Sequence, residues 1–153
     1  RLSVTPFLVP HRQEYSEVVG FRIQGPNRSA LFIPDIDSWE DWDALGTSIE
    51  SVIAGVDAAY LDGTFYDESE LPGRDMSEVP HPEIAASMRR FASLPVSERA
   101  KIRFIHLNHT NPALLPDSEA RRSISANGFR VAKEGETVDL QASAYDGAPV
   151  ATP

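Results

Sequence analysis

A cluster of imidazole and amide side chains follows a strand-like segment late in the chain. Arg103 to Ile105 belong to a short apolar run, and polar residues come directly after it: His106, Asn108, His109, Thr110 and Asn111. In open α/β sheets, ligands bind beyond the carboxyl ends of strands, so polar groups gathered there are placed for chemistry. The alternative is that these residues cap a helix or hold a turn, as Asn111-Pro112 would favour.

Three further groups with similar chemistry follow other apolar runs. They are His11 at the head of a polar turn, Asp35 with Asp37 after a strand-like run, and Asp62 followed by His81. Neutral imidazole and carboxylate are suitable ligands for zinc, iron or manganese. Because sequence-distant strand ends meet at one edge of a sheet, these groups form a candidate metal or proton-transfer site.

Each acidic residue and His81 also has a structural alternative. Asp35 could cap a helix or turn that starts at Ser38, and Asp37 could be such a cap or an acceptor for a neighbouring ligand. Asp62 could make the tight turn typical of an Asp-Gly pair. His81, flanked by two prolines, could simply close a loop.

Composition excludes several classes of protein. The net charge is −9 with no cluster of Lys and Arg, so nucleic-acid binding through phosphates is not expected. No apolar run approaches the length of a membrane span. These features suit a soluble protein of the cytoplasm or periplasm, with the compartment unknown. Cysteine is absent, so any metal must be held by imidazole and carboxylate.

The hydrophobic pattern predicts an α/β domain over residues 1–140 and a mobile tail over residues 141–153. Expected strands are Leu2 to Val9, Val18 to Gln24, Arg28 to Ile33, Asp57 to Phe65, Ile102 to Ile105, and a closing hairpin of Phe129 to Ala132 with Thr137 to Leu140. Expected helices are Thr47 to Val56, Pro82 to Leu94, and one capped by Asp117 or Ser118 that ends near Asn127. The chain begins at Arg1 within a strand-like pattern, which indicates a piece of a longer protein.

Several motifs resemble a known family. They are Leu61-Asp62-Gly63-Thr64-Phe65, Gly73-Arg74-Asp75-Met76, and Ile105-His106-Leu107-Asn108 leading to Thr110-Asn111-Pro112. Together they resemble the second half of the metallo-β-lactamase superfamily, within it the group similar to coenzyme PQQ synthesis protein B. The resemblance implies an αβ/βα sandwich, to which this chain contributes one mixed sheet with helices on its outer face.

The resemblance also implies roles for the candidate residues. His11 takes the place of a histidine ligand, Asp35 that of a carboxylate bridging two metals, and His106 or His109 that of the last histidine ligand. Asp62 and His81 resemble the pair that some members use for proton transfer. One or two divalent ions are therefore expected, zinc first, with iron or manganese as alternatives.

The implied function is metal-dependent hydrolysis of an ester, amide or phosphodiester in a small-molecule substrate. Alternatives are an iron-dependent oxygenase or hydroxylase related to PQQ biosynthesis, and a half-domain that serves only as a binding module. Two departures matter. The His-x-His-x-Asp-His cluster of the superfamily is absent, and the Pro-Asp-Ile-Asp and Pro-His-Arg elements differ from PQQ synthesis proteins, so the substrate is not carried over.

A half of a sandwich should expose one apolar sheet face. We expect this face to contain Val4, Phe7, Val19, Phe21, Leu31 and Ile33. It should be covered by the missing N-terminal half or by a second copy of the chain.

Overall fold

A single mixed sheet organises the chain in the computed structural model, which describes residues 1–12, 15–73 and 78–143. Within these ranges it has six strands: β1 Ser3–Leu8, β2 Val19–Gln24, β3 Ser29–Ile33, β4 Ala58–Asp62, β5 Ile102–Ile105 and β6 Arg130–Val131. The strands lie side by side in sequence order. β1, β2 and β3 are antiparallel neighbours, whereas β3 to β6 are parallel neighbours. The predicted α/β architecture is therefore confirmed.

Short helices connect the parallel strands, and three of them have serine caps. The helices are α1 Trp39–Asp43, α2 Ile49–Ala54, α3 Ile84–Arg90, α4 Val96–Arg99 and α5 Glu119–Ala126. The side chains of Ser38, Ser48 and Ser118 accept hydrogen bonds from backbone N–H groups in the first turns of α1, α2 and α5. The three helices predicted from periodicity are confirmed within a few residues. Neither α1 nor α4 is among the expected helices, because helices of four or five residues show no clear periodicity.

The predicted closing hairpin is wrong. β6 pairs in parallel with β5, and residues 137–140 do not form a strand. After a turn at Gly135, whose φ is +80°, the chain instead runs toward the β2–β3 turn. There the carbonyl of Leu140 accepts hydrogen bonds from the N–H groups of Asn27 and Arg28. This contact satisfies the backbone of the turn in place of a return strand. Most of the expected mobile tail, residues 144–153, lies outside the described residues.

The two faces of the sheet differ in their cover. Leu31, Ile33, Leu61 and Phe104 are at most 1 % exposed and belong to the core formed with the helices. On the opposite face the small Ala30 and Ala58 are buried, whereas the larger apolar side chains are half-buried or exposed: Val4, Leu8, Val19, Phe21, Ile23, Phe32 and Tyr60. Among the described residues, none of these side chains joins the hydrophobic core. An apolar sheet face is thus left open.

Three of the six side chains expected on this open face lie on the other face of the sheet. Val4, Val19 and Phe21 lie on the open face, but Phe7, Leu31 and Ile33 face the helices. The reason is register, because side chains alternate along a strand and paired residues share a face. A pattern of apolar residues within each strand does not show which of two apolar faces the helices cover.

Arg90 links α3 to α1 and α2 through ion pairs. Its guanidinium donates to Glu50 at 2.6 Å and to Asp43 at 2.6 Å. Burial alone would raise the pKa of Glu50, but the hydrogen bond and charge of Arg90 outweigh burial and lower this pKa below 4.5. The charged form of Glu50 is therefore stabilised in the folded state.

Replacing Arg90 by Met should lower the free energy of unfolding by roughly 1–2 kcal/mol near pH 7, because both carboxylates lose a partly exposed ion pair. A carboxyl group with a lowered pKa stabilises the fold above its unfolded pKa and loses that contribution as the pH falls. The difference from the wild type should therefore shrink below pH 4.5. Denaturant unfolding at pH 7 and at a pH below 4.5 measures the difference in unfolding free energy. Arg89→Met, at an exposed position of the same helix, is the control. An equal, pH-independent loss in both variants would contradict this account.

Candidate metal centre

Four strands place the candidate residues at one edge of the sheet. Asp62 is the last residue of β4, His106 follows β5 directly, and Asp35 lies two residues beyond β3. β1 runs in the same direction as β3, so His11, three residues beyond it, reaches the same edge. His81 comes from the segment that leads into α3. The convergence expected from the strand ends is therefore observed.

Asp35 occupies the centre of the cluster. One carboxylate oxygen, Oδ2, lies 3.5 Å from His11 Nε2, and the other, Oδ1, lies 3.6 Å from His81 Nδ1. Oδ1 is buried and has no hydrogen-bond donor. A buried carboxylate oxygen without a donor is costly unless a cation satisfies it. Asp35 does not cap α1, because Ser38 supplies that cap.

His11 is oriented by Asp37. The distance from His11 Nδ1 to Asp37 Oδ1 is 2.6 Å. A carboxylate only accepts hydrogen bonds, so Nδ1 carries a hydrogen, and in the neutral ring the lone pair is on Nε2, which lies 3.5 Å from Asp35 Oδ2. Such a carboxylate behind a histidine is a common support for metal ligands. Asp37 is therefore an acceptor for the neighbouring His11 and does not cap α1, which Ser38 caps.

Asp62 is fully buried and accepts four hydrogen bonds. The donors are Ile36 N, Thr64 N, Thr64 Oγ1 and His81 Nδ1, at 3.1, 2.8, 2.7 and 2.7 Å. The bond from Thr64 N is the tight turn expected of an Asp-Gly pair, and the same carboxylate also holds His81. Ligand atoms of Asp35, Asp62 and His106 lie within 4.8 Å of one another. Because its lone pairs are occupied, Asp62 is suited to orienting His81 and less suited to binding a metal than Asp35 or His106.

Position 63 has no room for a side chain, so it requires glycine. A Cβ added there would lie 2.8 Å from the Cβ of Phe104 and 3.2 Å from the carbonyl oxygen of Ile105. Its N–H donates to that carbonyl at 2.9 Å. This close approach of β4 to β5 brings Asp62 and Thr64 against the loop that carries His106.

His81 has an altered acidity. Burial alone would lower its pKa, but the hydrogen bond and charge of Asp62, with the charges of Asp35 and Asp37, outweigh burial and raise the pKa above 6.5. The bond to Asp62 uses Nδ1, so Nε2 remains available for a proton donated to another molecule. His81 is thus arranged as a candidate acid, in addition to closing its loop.

His106 joins the cluster, whereas His109 lies outside it. The ring of His106 is 6.2 Å from that of His81, and its backbone has a φ of +62°. Left-handed backbone at a non-glycine residue is strained and is often found at functional sites. His109 is exposed, and its Nδ1 lies 3.1 Å from Asn108 Oδ1. Its role as a ligand stays a prediction, ranked below that of His106.

Two residues that support the site were not assigned a role from sequence. Thr64 contacts both Asp62 and His106. Asn111 is 2 % exposed and donates to the carbonyls of Gly63 and Thr64 at 2.9 and 3.1 Å. Its Oδ1 also accepts from Ala113 N, as a turn residue would. Both residues stand within the motifs quoted above, but only the fold shows that segments so distant in sequence touch.

The fold and this cluster agree with a comparison to known families. Residues 1–107 match the family model described as a Beta-lactamase superfamily domain, so the chain belongs to the β-lactamase superfamily. More narrowly, the chain is similar to coenzyme PQQ synthesis protein B. It is 29 % identical over 160 residues to that protein of Methylobacterium sp. (strain 4-46), covering 91 % of this chain and 50 % of the relative. With that of Cupriavidus necator, the identity is 27 % over 140 residues, covering 85 % and 43 %.

A solved structure gives the same result. The crystal structure of Zn(2+)-bound PqqB from Methylobacterium extorquens superimposes with a TM-score of 0.67 at 29 % identity, covering 91 % of this chain and 50 % of that one. The chain therefore spans about half the length of the relatives it matches, and it corresponds to their C-terminal half. The resemblance and fold class inferred from the motifs are confirmed. In the described ranges, no helix is long and apolar enough to cross a membrane.

Proposed function

We propose that this chain supplies half of the metal centre of a metallo-β-lactamase-fold hydrolase. The observation that carries the proposal is the buried Asp35 Oδ1, which has no hydrogen-bond donor. Its carboxylate lies 3.5 Å from His11 and 3.6 Å from His81, and a ligand atom of His106 is within 4.8 Å of one of Asp35. Asp35, His11 and His106 would hold a divalent ion, with further ligands from the rest of the protein. Zinc is the first candidate, because a related protein binds it.

The ion would supply the nucleophile. When bound, a zinc ion would do so by lowering the pKa of water to about 7. The ligand set of imidazole and carboxylate matches this chemistry. Asp37 keeps His11 oriented by Nδ1, so that Nε2, 3.5 Å from Asp35 Oδ2, would be free to bind the ion.

His81 would protonate the leaving group of the substrate. Its raised pKa favours the protonated ring that an acid needs, and Asp62 holds the ring by Nδ1 so that Nε2 carries the transferable proton. A cleft of about 350 Å³ opens beside His11 and Asp35, with Arg12, Tyr15 and Ser16 in its walls. This volume suits a small molecule. The substrate would be an ester, amide or phosphodiester.

The test uses the complete protein and three chromogenic probes: a cephalosporin β-lactam, p-nitrophenyl acetate and bis(p-nitrophenyl) phosphate. Hydrolysis of at least one probe should stop when the metal is removed by a chelator and return when zinc is added. His81→Ala should reduce the rate, whereas His109→Ala should not. Hydrolysis that survives metal removal, or that needs neither His11 nor Asp35, would contradict the proposal.

A second candidate function is an iron-dependent oxygenase. It is favoured by the similarity to proteins named for coenzyme PQQ synthesis, since an imidazole and carboxylate set also suits iron. Iron-loaded complete protein would then consume oxygen in the presence of substrate while the zinc form would not. If neither metal supports any reaction, the remaining candidate is a binding module.

We further propose that the open sheet face is covered by the N-terminal half of the protein. The chain spans half of its relatives, and Val4 and Leu8 on this face are 53 % and 60 % exposed. At about 25 cal/mol per Å², a few hundred Å² of uncovered apolar surface forfeits several kcal/mol, comparable to the stability of a small domain.

These 153 residues produced alone should therefore associate as dimers or larger species, because association would bury the apolar side chains of the open face. Size-exclusion chromatography with light scattering measures this. Phe21→Lys, on the open face, should shift the chain toward monomer, whereas Arg89→Lys, on the exposed side of α3, should not. A cooperative, stable monomer that binds metal stoichiometrically without a partner would contradict the prediction.

A further inference from the structure

Thr64 makes two side-chain contacts that depend on each other. Its Oγ1 lies 2.7 Å from Asp62 Oδ1 and 3.0 Å from His106 Nδ1. A hydroxyl has one hydrogen to donate and lone pairs with which to accept. The Asp62 carboxylate only accepts, so the hydroxyl hydrogen of Thr64 is used in that bond.

The consequence falls on His106. Because the hydrogen of Thr64 points to Asp62, Oγ1 only accepts from His106, and the hydrogen of the imidazole must be on Nδ1. In the neutral ring, Nε2 then keeps its lone pair. A neutral histidine carries one ring hydrogen, and the bond made by one nitrogen decides which nitrogen is free for a metal.

The backbone around Thr64 keeps this geometry in place. Thr64 is 8 % exposed, and its N–H donates to Asp62 Oδ1 at 2.8 Å. Its carbonyl accepts from Asn108 N at 2.9 Å and from Asn111 Nδ2 at 3.1 Å. Asn108 lies on the same loop as His106. The hydroxyl and the imidazole are therefore held by a shared network, so their contact is more than a chance approach of two side chains.

We propose that Thr64 is a positioning residue that fixes His106 in the tautomer with hydrogen on Nδ1 and so presents Nε2 to the metal. The role toward the metal rests on the proposed function, whereas the tautomer itself follows from the hydrogen bonds. Asp37 acts in the same way on His11 with a carboxylate. The two histidine ligands are thus prepared by different partners, one charged and one neutral.

The test compares Thr64→Val, which replaces the hydroxyl by a methyl group, with Thr64→Ser, which keeps it. In the metal-free complete protein at about pH 8.5, well above the ordinary pKa of imidazole, the ¹⁵N chemical shifts of the His106 ring report the tautomer. The wild type and Thr64→Ser should show hydrogen on Nδ1, and Thr64→Val should show a shift toward hydrogen on Nε2. Zinc affinity should fall about 10- to 100-fold in Thr64→Val and be retained in Thr64→Ser, the range usual for losing such a partner.

Each outcome decides the proposal. Hydrogen on Nε2 of His106 in the wild type would overturn it without any variant, so a Thr64→Val protein that fails to fold does not prevent the test. A loss of zinc in Thr64→Val with the tautomer unchanged would also overturn it, because the loss would then not act through the tautomer of His106. If the wild type shows the Nδ1 tautomer but the complete protein binds no metal, the proposed function fails while the orienting role of Thr64 stands.

Discussion

Alanine at His11, Asp35 or His106 should each abolish stoichiometric metal binding by the complete protein. Each change removes one donor from a small set, and metal affinity depends on the number of such donors. Asp35→Ala should have the largest effect, because its carboxylate lies between His11 and His81. Metal content after dialysis, measured by elemental analysis, tests this prediction.

His109→Ala is the matched control, since it removes an imidazole three residues from His106 that lies outside the cluster. It should leave the metal content unchanged. Full metal retention in all three ligand variants, with the fold intact by circular dichroism, would disprove the ligand assignment. Loss of metal in His109→Ala would instead show that His109 is a ligand.

The second large effect concerns proton transfer. Asp62→Asn and His81→Ala should each slow turnover of the best hydrolysed probe by about 10²- to 10⁴-fold, the usual loss when a positioned acid or its partner is removed. Metal content should stay near that of the wild type, because Asp62 uses its lone pairs for four hydrogen-bond donors. Steady-state rates and elemental analysis of the same preparations separate the two effects.

The free energy of unfolding of the Asp62→Asn variant must be measured together with its rate and metal content. An amide in place of the carboxylate would direct N–H groups at one or more of the existing donors, so this variant should also be less stable. His81→Ala should not share that cost to the same degree. A parallel loss of metal and activity in His81→Ala would make His81 a ligand and contradict its assignment as an acid.

The convergence of the site could be predicted from sequence because it depends on a general property of sheets. Asp35, Asp62 and His106 each follow an apolar run, and the carboxyl ends of parallel strands share one edge. His81 was among the same candidates, but its pairing with Asp62 for proton transfer was inferred only through the family resemblance, because it comes from a loop. The cap of α5 was predictable to one of two residues, Asp117 or Ser118, because Asp or Ser before a periodic segment is a local signal; the structure shows Ser118.

Other features depend on contacts that no local pattern encodes. The partners of Thr64 and Asn111 come from a different segment of the chain, more than 40 residues away. The open face was misassigned because Phe7 and Leu31 are as apolar as Val4 and Phe21, and only the register distinguishes them. The prediction of a closing hairpin was wrong because Val131 pairs in parallel with Phe104. This pairing depends on the position of β5, which is distant in sequence.

The central claim is that this edge of the sheet is half of a metal centre. Elemental analysis of the complete protein, purified without added metal, tests it most directly. We expect about one or two divalent ions per chain. Zinc is the most expected metal, because imidazole and carboxylate are ligands typical of zinc sites. A folded complete protein that contains no divalent metal, and that takes up neither zinc, iron nor manganese on incubation and dialysis, would contradict the account.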